Sequence, residues 1–128
     1  MLSTEITVGS QPYAITAAVN LCGKDVVVAI GGGQTPHVGA VALALPRMSL
    51  NNDGVISATA SVLCVMGHKE DTITRDAALR LASALNTTVL VSAGLHQDNA
   101  AVEDIKRLQA NFERLIDETE TWLMQYKP

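Results

Sequence analysis

The chain has 128 residues, of which 48% are hydrophobic and 17% are charged, and its 9 Lys and Arg against 13 Asp and Glu give a net charge of −4. A chain of this length buries roughly two-thirds of its unfolded surface, so we expect one domain over residues 1–128. The low charged fraction excludes intrinsic disorder. An acidic chain without a Lys or Arg cluster also argues against nucleic acid and anionic membranes as partners.

The N-terminal region shows no signal for export. Its first basic residue is Lys24, and residues 1–10 contain no apolar run as long as that of a signal peptide. No apolar stretch approaches the roughly 18 residues of a membrane span. We therefore expect a cytoplasmic protein. Cys22 and Cys64 lie in apolar, strand-like runs without C-x-x-C spacing, which predicts reduced thiols in the core.

The first two-thirds of the chain has the pattern of β-strands. Five apolar runs separated by turn residues occupy residues 4–8, 13–22, 26–30, 38–45 and 56–66. Gly23-Lys24-Asp25 and the segment 51–54 predict hairpin turns. The segment 31–36, with three glycines and a proline, is predicted to lack regular structure, and Pro46 is predicted to end the fourth strand.

The period of the apolar residues changes after Gly67. Ile73, Ala77, Leu81 and Leu85 recur four apart, which predicts a helix over residues 72–85 that ends at Asn86. A strand over residues 88–93 follows. The pattern over residues 100–126 predicts a second helix with Asp98 or Asn99 as its N-cap.

These elements predict an α+β fold, with a largely antiparallel sheet of five to six strands and two helices packed on one face. Strands 38–45 and 58–66 are uncharged on both faces, although an antiparallel sheet normally turns one polar face toward water. Two helices cover one side of a sheet, so the second apolar face predicts a homodimer. A strongly curled sheet that covers itself is the alternative.

Three glycines at residues 31–33 follow a strand, as a phosphate-binding loop does. Pro36 and a strand come next rather than a helix, so neither a dinucleotide fingerprint nor a P-loop is matched, and a tight connection explains the glycines equally well. The loop ends in Pro36-His37, and the next strand ends in Pro46-Arg47. His37 and Arg47 should lie about 30 Å apart. They would serve opposite ends of a long ligand or meet across a two-fold axis.

The segment Gly67-His68-Lys69-Glu70-Asp71 precedes the first helix. A cation and an imidazole before a helix N-terminus favour an anion, because unpaired N–H groups and the positive end of the dipole lie there. The alternative is a helix capped by the negative charge of Glu70 and Asp71, with His68 and Lys69 exposed to solvent.

Metal and nucleophile chemistry is weakly indicated. His37, His68 and His96 lie in three different loops without the spacing of a metal site, so we expect no metal. The serines lie inside strands rather than at a nucleophile elbow. A small enzyme that uses His37 or His68 as acid or base remains an alternative.

The run I-G-G-G-Q-T-P-H-V-G-A-V-A-L-A-L-P-R at residues 30–47, with S-A-T-A-S-V at 57–62 and G-H-K-E-D at 67–71, resembles the small prenylated-flavin chaperone family typified by the D subunit of gallate decarboxylase (LpdD-like). The resemblance covers residues 13–123. P-H-x-G-A-V-A and G-H-K-E-D in this order are specific together, whereas each alone is not.

The resemblance implies a single LpdD-like domain and a non-catalytic accessory protein. It would bind prenylated flavin mononucleotide (FMN) and assist its delivery to, or maturation in, a UbiD-type hydroxyaromatic acid decarboxylase, with a flavin prenyltransferase as a further partner. It also implies a dimeric fold similar to that of proteasome assembly chaperones. The cofactor-binding candidates on the motif positions are His37, Arg47, His68, Lys69, Gly32 and Gly33. A protein-binding module without cofactor is the rival interpretation.

Overall fold

The computed structural model describes residues 1–67 and 70–126, and eight elements follow one another in them. They are β1 Leu2–Val8, β2 Ile15–Cys22, β3 Asp25–Gly33, β4 Ala40–Met48, β5 Ile56–Cys64, α1 Asp71–Leu85, β6 Val89–His96 and α2 Val102–Met124. The strands form one sheet in the order β1-β2-β3-β6-β4-β5. β3 and β6 pair in parallel, and the other neighbours are antiparallel. The predicted α+β class and both predicted hairpins are confirmed.

Both helices pack on the same face of the sheet, as predicted. One row of paired residues on this face runs from Val19 through Val28 and Val91 to Ala42, and all four are fully buried. α1 contacts β4, β5 and β6, whereas α2 contacts β1 and β2. The core therefore lies between the two helices and one side of the sheet, and none of the described residues forms a helix on the other side.

α1 packs against the sheet through small side chains. Ala77, Ala78 and Ala82 are buried on the helix, and Ala42 and Ala44 are buried on β4 below it. Alanine on both surfaces lets the helix axis approach the strands closely. The predicted apolar stripe of this helix is confirmed. Its predicted end is also confirmed, because Asn86 takes the left-handed conformation at the C-cap, with φ 51°.

The three glycines at residues 31–33 belong to β3, so the prediction of irregular structure there is wrong. Gly31 pairs with Thr16 on β2 and with Gly94 on β6, and the pairing continues through Gly32. A Cβ on Gly32 would lie 2.8 Å from Ile15 Cγ1. These glycines are therefore needed for close packing around the end of a strand, a requirement that local sequence does not reveal.

Pro46 lies inside β4, so the prediction that it ends the strand is also wrong. β4 pairs with β6 only from Ala40 to Ala44, whereas its pairing with β5 continues to Met48. Beyond Ala44 the strand therefore has one neighbour. Proline is tolerated at such an edge, because its missing N–H then breaks no ladder on the free side.

The N-terminus of α2 is organised by Asp104 rather than by the predicted N-cap residues Asp98 or Asn99. The N-cap is Ala101, and its N–H donates to Asp104 Oδ2 at 2.9 Å. Tyr13 donates its hydroxyl to Asp104 Oδ1 at 2.6 Å, which connects the entry of β2 to this helix. No helix within residues 1–67 and 70–126 is long and apolar enough to cross a membrane.

The cysteines also differ from their prediction as core thiols. Cys64 is exposed and Cys22 is partly exposed, and both are free. Cys64 ends β5, which is the outermost strand of the sheet and has a neighbour on one side only. An apolar run therefore did not ensure burial at this edge.

We expect enlargement of the alanine layer under α1 to destabilise the protein. Ala42→Leu adds volume where helix and strand are in close contact, and overpacking of this kind costs about 1–3 kcal/mol in the free energy of unfolding. Ala110→Leu, at an exposed position of α2, is the matched control and should change stability little. Urea denaturation measures both, and equal stabilities would contradict the close packing.

The Tyr13–Asp104 hydrogen bond should make stability depend on pH. The bond from Tyr13 holds the pKa of Asp104 below its ordinary value, and the same bond raises the pKa of Tyr13. The stabilisation by Asp104 is therefore present above about pH 4 and is lost as the pH falls through its lowered pKa in the folded state. The contribution of Tyr13 is lost as the pH rises through its raised pKa.

Thermal melts of the wild type and of Tyr13→Phe between pH 3 and pH 7 test this dependence. The difference in melting temperature should be largest near pH 7 and should shrink toward pH 3. A difference that stays constant over this range would contradict a role for the Asp104 carboxylate.

Candidate ligand cradle on the open sheet face

The face of the sheet opposite the helices, called the open face below, exposes large aliphatic side chains on β4 and β5. Leu43 is 40% exposed, Leu45 50% and Leu63 77%. On β4, Leu43, Leu45 and Val41 alternate with buried alanines, and Leu63 of β5 pairs with Val41. These four residues are called the ridge below. The predicted surplus of apolar surface on a second sheet face is confirmed.

The same face carries a cavity of about 300 Å³ at β2 and β3, called the cradle below. Small residues that alternate with core residues form its floor, and they are Thr16, Ala18, Ala29 and Gly31. Gln11, Gln34 and Pro36 form its rim, and Gly32 and Gly33 line it with their backbone. No charged side chain is among these lining residues of the described chain. The floor is therefore flat, small and uncharged.

The loop between β3 and β4 folds back over the sheet to form one wall of the cradle. Pro36 packs on Gly31, where a Cβ would lie 2.7 Å from Pro36 Cβ. The main chain of His37 crosses Gly94 so closely that a Cβ there would overlap the His37 carbonyl. Paired glycines on adjacent strands thus allow the loop to lie against the backbone of the sheet.

Glu70 takes the place of a strand residue beside the end of β6. β4 begins at Ala40, and just before it Gly39 N–H still donates to the Ala93 carbonyl of β6 at 2.9 Å. One step further along β6, Leu95 N–H donates to Glu70 Oε1 at 3.3 Å. A Cβ on Gly39 would overlap the Glu70 carboxylate, so glycine is needed there.

The Glu70 carboxylate also joins the two segments that carry the P-H-x-G-A-V-A and G-H-K-E-D motifs. His37 Nε2 lies 3.0 Å from Glu70 Oε1, and His37 Nδ1 lies 3.2 Å from the Thr35 carbonyl. The side chains of His37 and Glu70 are 20% and 11% exposed. Residues 33 positions apart in sequence therefore meet at the end of the sheet, next to the wall of the cradle.

Sequence reasoning assigned Glu70 only a charge for helix capping and so missed this contact. The Glu70 carbonyl does accept from Thr74, from its N–H at 3.0 Å and its hydroxyl at 2.6 Å, but the side chain makes no capping bond. Asp71 already supplies the acidic residue of the first turn. The presence of two consecutive acidic residues, where one is enough for the helix N-terminus, was the one sequence feature that pointed to another role for Glu70.

His96 lies beside His37 but has a different partner. Its Nε2 is 2.7 Å from Asp98 Oδ1, and its ring meets the His37 ring edge-on at 6.3 Å between centroids. Within the residues that the structure covers, no three His, Cys, Asp or Glu side chains are arranged to hold a metal ion. His68 and Lys69 lie outside the described residues.

Arg47 is exposed on the open face at the far end of β4 from His37. Its Nε donates to Thr59 Oγ1 at 2.8 Å, and Nη1 donates to the Met48 carbonyl at 3.1 Å. Of the six cofactor-binding candidates, Gly32 and Gly33 line the cradle and His37 follows its wall. Arg47 is separated from all three by the length of a strand.

The family model of the prenylated flavin chaperone LpdD-like domain matches residues 9–124. The chain belongs to this family. The matched part of the LpdD-like domain begins directly after β1 and contains the whole cradle, the His37–Glu70 contact and the ridge. The family resemblance inferred from the motifs is confirmed.

The LpdD-like domain shares its fold with a known assembly chaperone. The crystal structure of a chaperone complex for yeast 20S proteasome assembly matches it with a TM-score of 0.56 and 15% identity, over 99% of this chain and 98% of that chain. At this identity the likeness shows the fold alone. No curated protein matches the sequence.

We expect Glu70→Ala to destabilise the LpdD-like domain by about 1–3 kcal/mol, because the partly buried Leu95 N–H and His37 Nε2 both lose the Glu70 carboxylate. Glu70→Gln keeps an oxygen for Leu95 and should lose less. The matched control is Glu118→Ala, an exposed carboxylate on α2, with an expected change within about 0.5 kcal/mol. Urea denaturation checks all three, and a Glu70→Ala variant as stable as the control would contradict the structural role.

Proposed function

We propose that this protein is a non-catalytic cofactor chaperone. It binds prenylated FMN and assists its delivery to, or maturation in, a UbiD-type hydroxyaromatic acid decarboxylase, in the cytoplasm and as a homodimer. A flavin prenyltransferase is the expected source of the cofactor. Family membership supports a chaperone role for prenylated flavin. The observation that carries the proposal is the flat, uncharged cradle inside the matched region.

The cradle suits the ring system of the cofactor. A flavin ring is a broad planar surface, and the prenyl-derived ring adds apolar area. Ala18, Ala29 and Gly31 expose methyl groups and backbone rather than bulky side chains, so a plane can lie against them. The Gln11 amide at the rim offers a donor and an acceptor for the polar edge of a flavin, and the Gln34 amide offers its NH2 donor, since its oxygen accepts from Asp98 N–H at 2.8 Å. Because the described lining contains no aromatic residue, the ring gains no aromatic stacking energy there, which suits a carrier that must release its cargo.

The phosphate of the cofactor needs a cation that the described lining of the cradle does not supply. Several basic residues are engaged elsewhere. Arg80 binds Glu120 at 2.6 Å and Asp117 at 2.7 Å, and Arg107 lies over the Tyr13 ring at 5.1 Å. Arg47, His68 and Lys69 remain the proposed phosphate ligands, whereas both ring nitrogens of His37 already face the Thr35 carbonyl and the Glu70 carboxylate.

The geometry of His37 favours a positioning role over acid or base catalysis. Both of its ring nitrogens face protein acceptors, the Glu70 carboxylate and the Thr35 carbonyl. A histidine held on both sides fixes the loop that forms the cradle wall. This arrangement supports the accessory role over a small enzyme that uses His37.

The second candidate function is a protein-binding module without cofactor. The exposed leucines of the ridge favour it, because an uncovered apolar row marks a surface that contacts another protein. The two functions differ in whether the protein itself carries a flavin.

Coexpression with a flavin prenyltransferase separates the two candidates. The proposed function predicts a purified protein that absorbs in the yellow-to-purple range and that activates a cofactor-free UbiD-type decarboxylase when mixed with it. Ala29→Trp fills the cradle at an exposed position and should yield a folded, colourless protein. Ala110→Trp, on the exposed side of α2, is the matched control and should keep the colour. A colourless wild type would favour the module.

We expect loss of a phosphate ligand to weaken binding without a change in stability. Removing one charge-assisted contact costs about 1.5–3 kcal/mol, which is roughly tenfold or more in affinity. Arg47→Ala or Lys69→Ala should therefore weaken binding of prenylated FMN at an unchanged melting temperature. Arg114→Ala, on α2, should have no effect. Titration by absorbance or fluorescence quenching measures the three, and equal affinities would show that the phosphate lies elsewhere.

A further inference from the structure

The open face combines a hollow and a protrusion side by side. The cradle is the hollow on β2 and β3, and the ridge is the protrusion on β4 and β5. Leu43, Leu45 and Leu63 of the ridge are 40%, 50% and 77% exposed, and this exposed apolar area would gain free energy if a partner covered it. Each copy of the chain therefore carries both halves of a complementary pair of shapes on one surface.

A ligand in the cradle of a single copy would remain half exposed. The floor contacts one side of a planar ring, and the described lining provides no roof over the other side. Small-molecule sites usually bury 70–90% of the ligand surface, so a shallow hollow alone is an incomplete site. The missing parts are an apolar cover and a cation for the phosphate.

The ridge supplies what the cradle lacks, but at a distance within one chain. Its leucines form an apolar cover, and Arg47 at the end of β4 has no carboxylate partner among the described residues. Both lie on the same face as the cradle and cannot fold over it, because β6 separates β3 from β4 in a continuous sheet. A second copy turned face to face brings these groups opposite the cradle.

Charge on the open face also matches a second copy. Glu5 lies on the edge strand β1 beside the cradle, where it pairs with Ala18, and Arg47 lies near the opposite edge. In a two-fold pair each surface contacts its own counterpart, so opposite charges near opposite edges of one face attract rather than repel. Glu5 is next to Ala18 of the floor. A two-fold rotation that brings Arg47 of one copy to Glu5 of the other therefore also brings this Arg47 toward the cradle of the other copy.

We propose that two copies pair through their open faces, and that the ridge and Arg47 of one copy complete the cradle of the other. The inference rests on the proposed function, since the site it completes is the flavin site. It assigns the floor of each site to one subunit, and the roof and phosphate ligand to the partner. A monomer would hold only half of the site.

Subunit complementation tests the shared site directly. Arg47→Ala keeps the floor and loses the cation, whereas Ala29→Trp keeps the cation and blocks the floor. Each variant alone should bind prenylated FMN at least about tenfold more weakly than the wild type. A mixed dimer, isolated through two different affinity tags, contains one intact site and should bind one flavin with wild-type affinity. Mixed dimers that bind no better than their parents would overturn the shared site.

The oligomeric state gives a second, independent readout. Leu43→Glu places a charge on the ridge, so light scattering should report a monomer with a normal circular dichroism spectrum and flavin affinity reduced by about tenfold or more. Val102→Glu, at a position 69% exposed on α2, is the control and should stay dimeric. A wild type that binds flavin as a monomer would overturn this inference alone. A wild-type dimer that binds no flavin would overturn it together with the proposed function. A Leu43→Glu variant that stays dimeric but no longer binds the decarboxylase would also overturn it, because the ridge would then contact the decarboxylase.

Discussion

The placement of both helices on one side of the sheet determines the chemistry of both faces. α1 needs close contact, so its side of β4 presents alanines, and the large aliphatic residues of that strand face the opposite way. In most antiparallel sheets with one covered face, the outer face is polar. Here the outer face exposes the large aliphatic side chains of the ridge on β4 and β5, and it carries the small residues of the cradle floor on β2 and β3. Both the cradle and the ridge lie on the surface that the two helices leave uncovered.

Glycine controls how closely the chain can approach that surface. Gly31 and Gly94 are paired neighbours, and the absence of side chains at both lets the loop from Gln34 to Gly39 run against the sheet. Gly39 in turn admits the Glu70 carboxylate beside β6. The wall of the cradle and the His37–Glu70 contact are therefore two results of the same packing. A side chain at Gly31, Gly39 or Gly94 would therefore displace both the cradle wall and the His37–Glu70 contact.

Periodicity predicted most of the fold because it reports contacts between residues close in sequence. The stripe at Ala77, Leu81 and Leu85 and the hairpin turns each express a local rule, and the structure confirms them. The errors arose where a distant neighbour decides the conformation. Pro46 is tolerated because β6 begins at Val89, opposite Ala44, and does not extend beside Pro46. Residues 31–33 are extended because β6 pairs with all three of them and β2 pairs with the first two.

The candidate site was predictable only in part for the same reason. The sequence singled out His37, Gly32 and Gly33, which lie in or beside the cradle, but it gave no reason to select Ala18 or Ala29. Alanine has no reactive group, and its importance in a cradle follows from the space around it. Glu70 was missed because its partners, Leu95 and His37, come from two other segments of the chain.

The position of Pro46 has a further consequence for the motions of β4. From Leu45 to Met48 the strand is hydrogen-bonded to β5 alone, because its pairing with β6 stops at Ala44. Hydrogen exchange from this end of the hairpin therefore requires only a local opening, whereas exchange from Val91 or Ala42 requires much of the core to open. Arg47 lies on this separable part. Its side chain can therefore move in a small fluctuation that leaves the rest of the sheet folded.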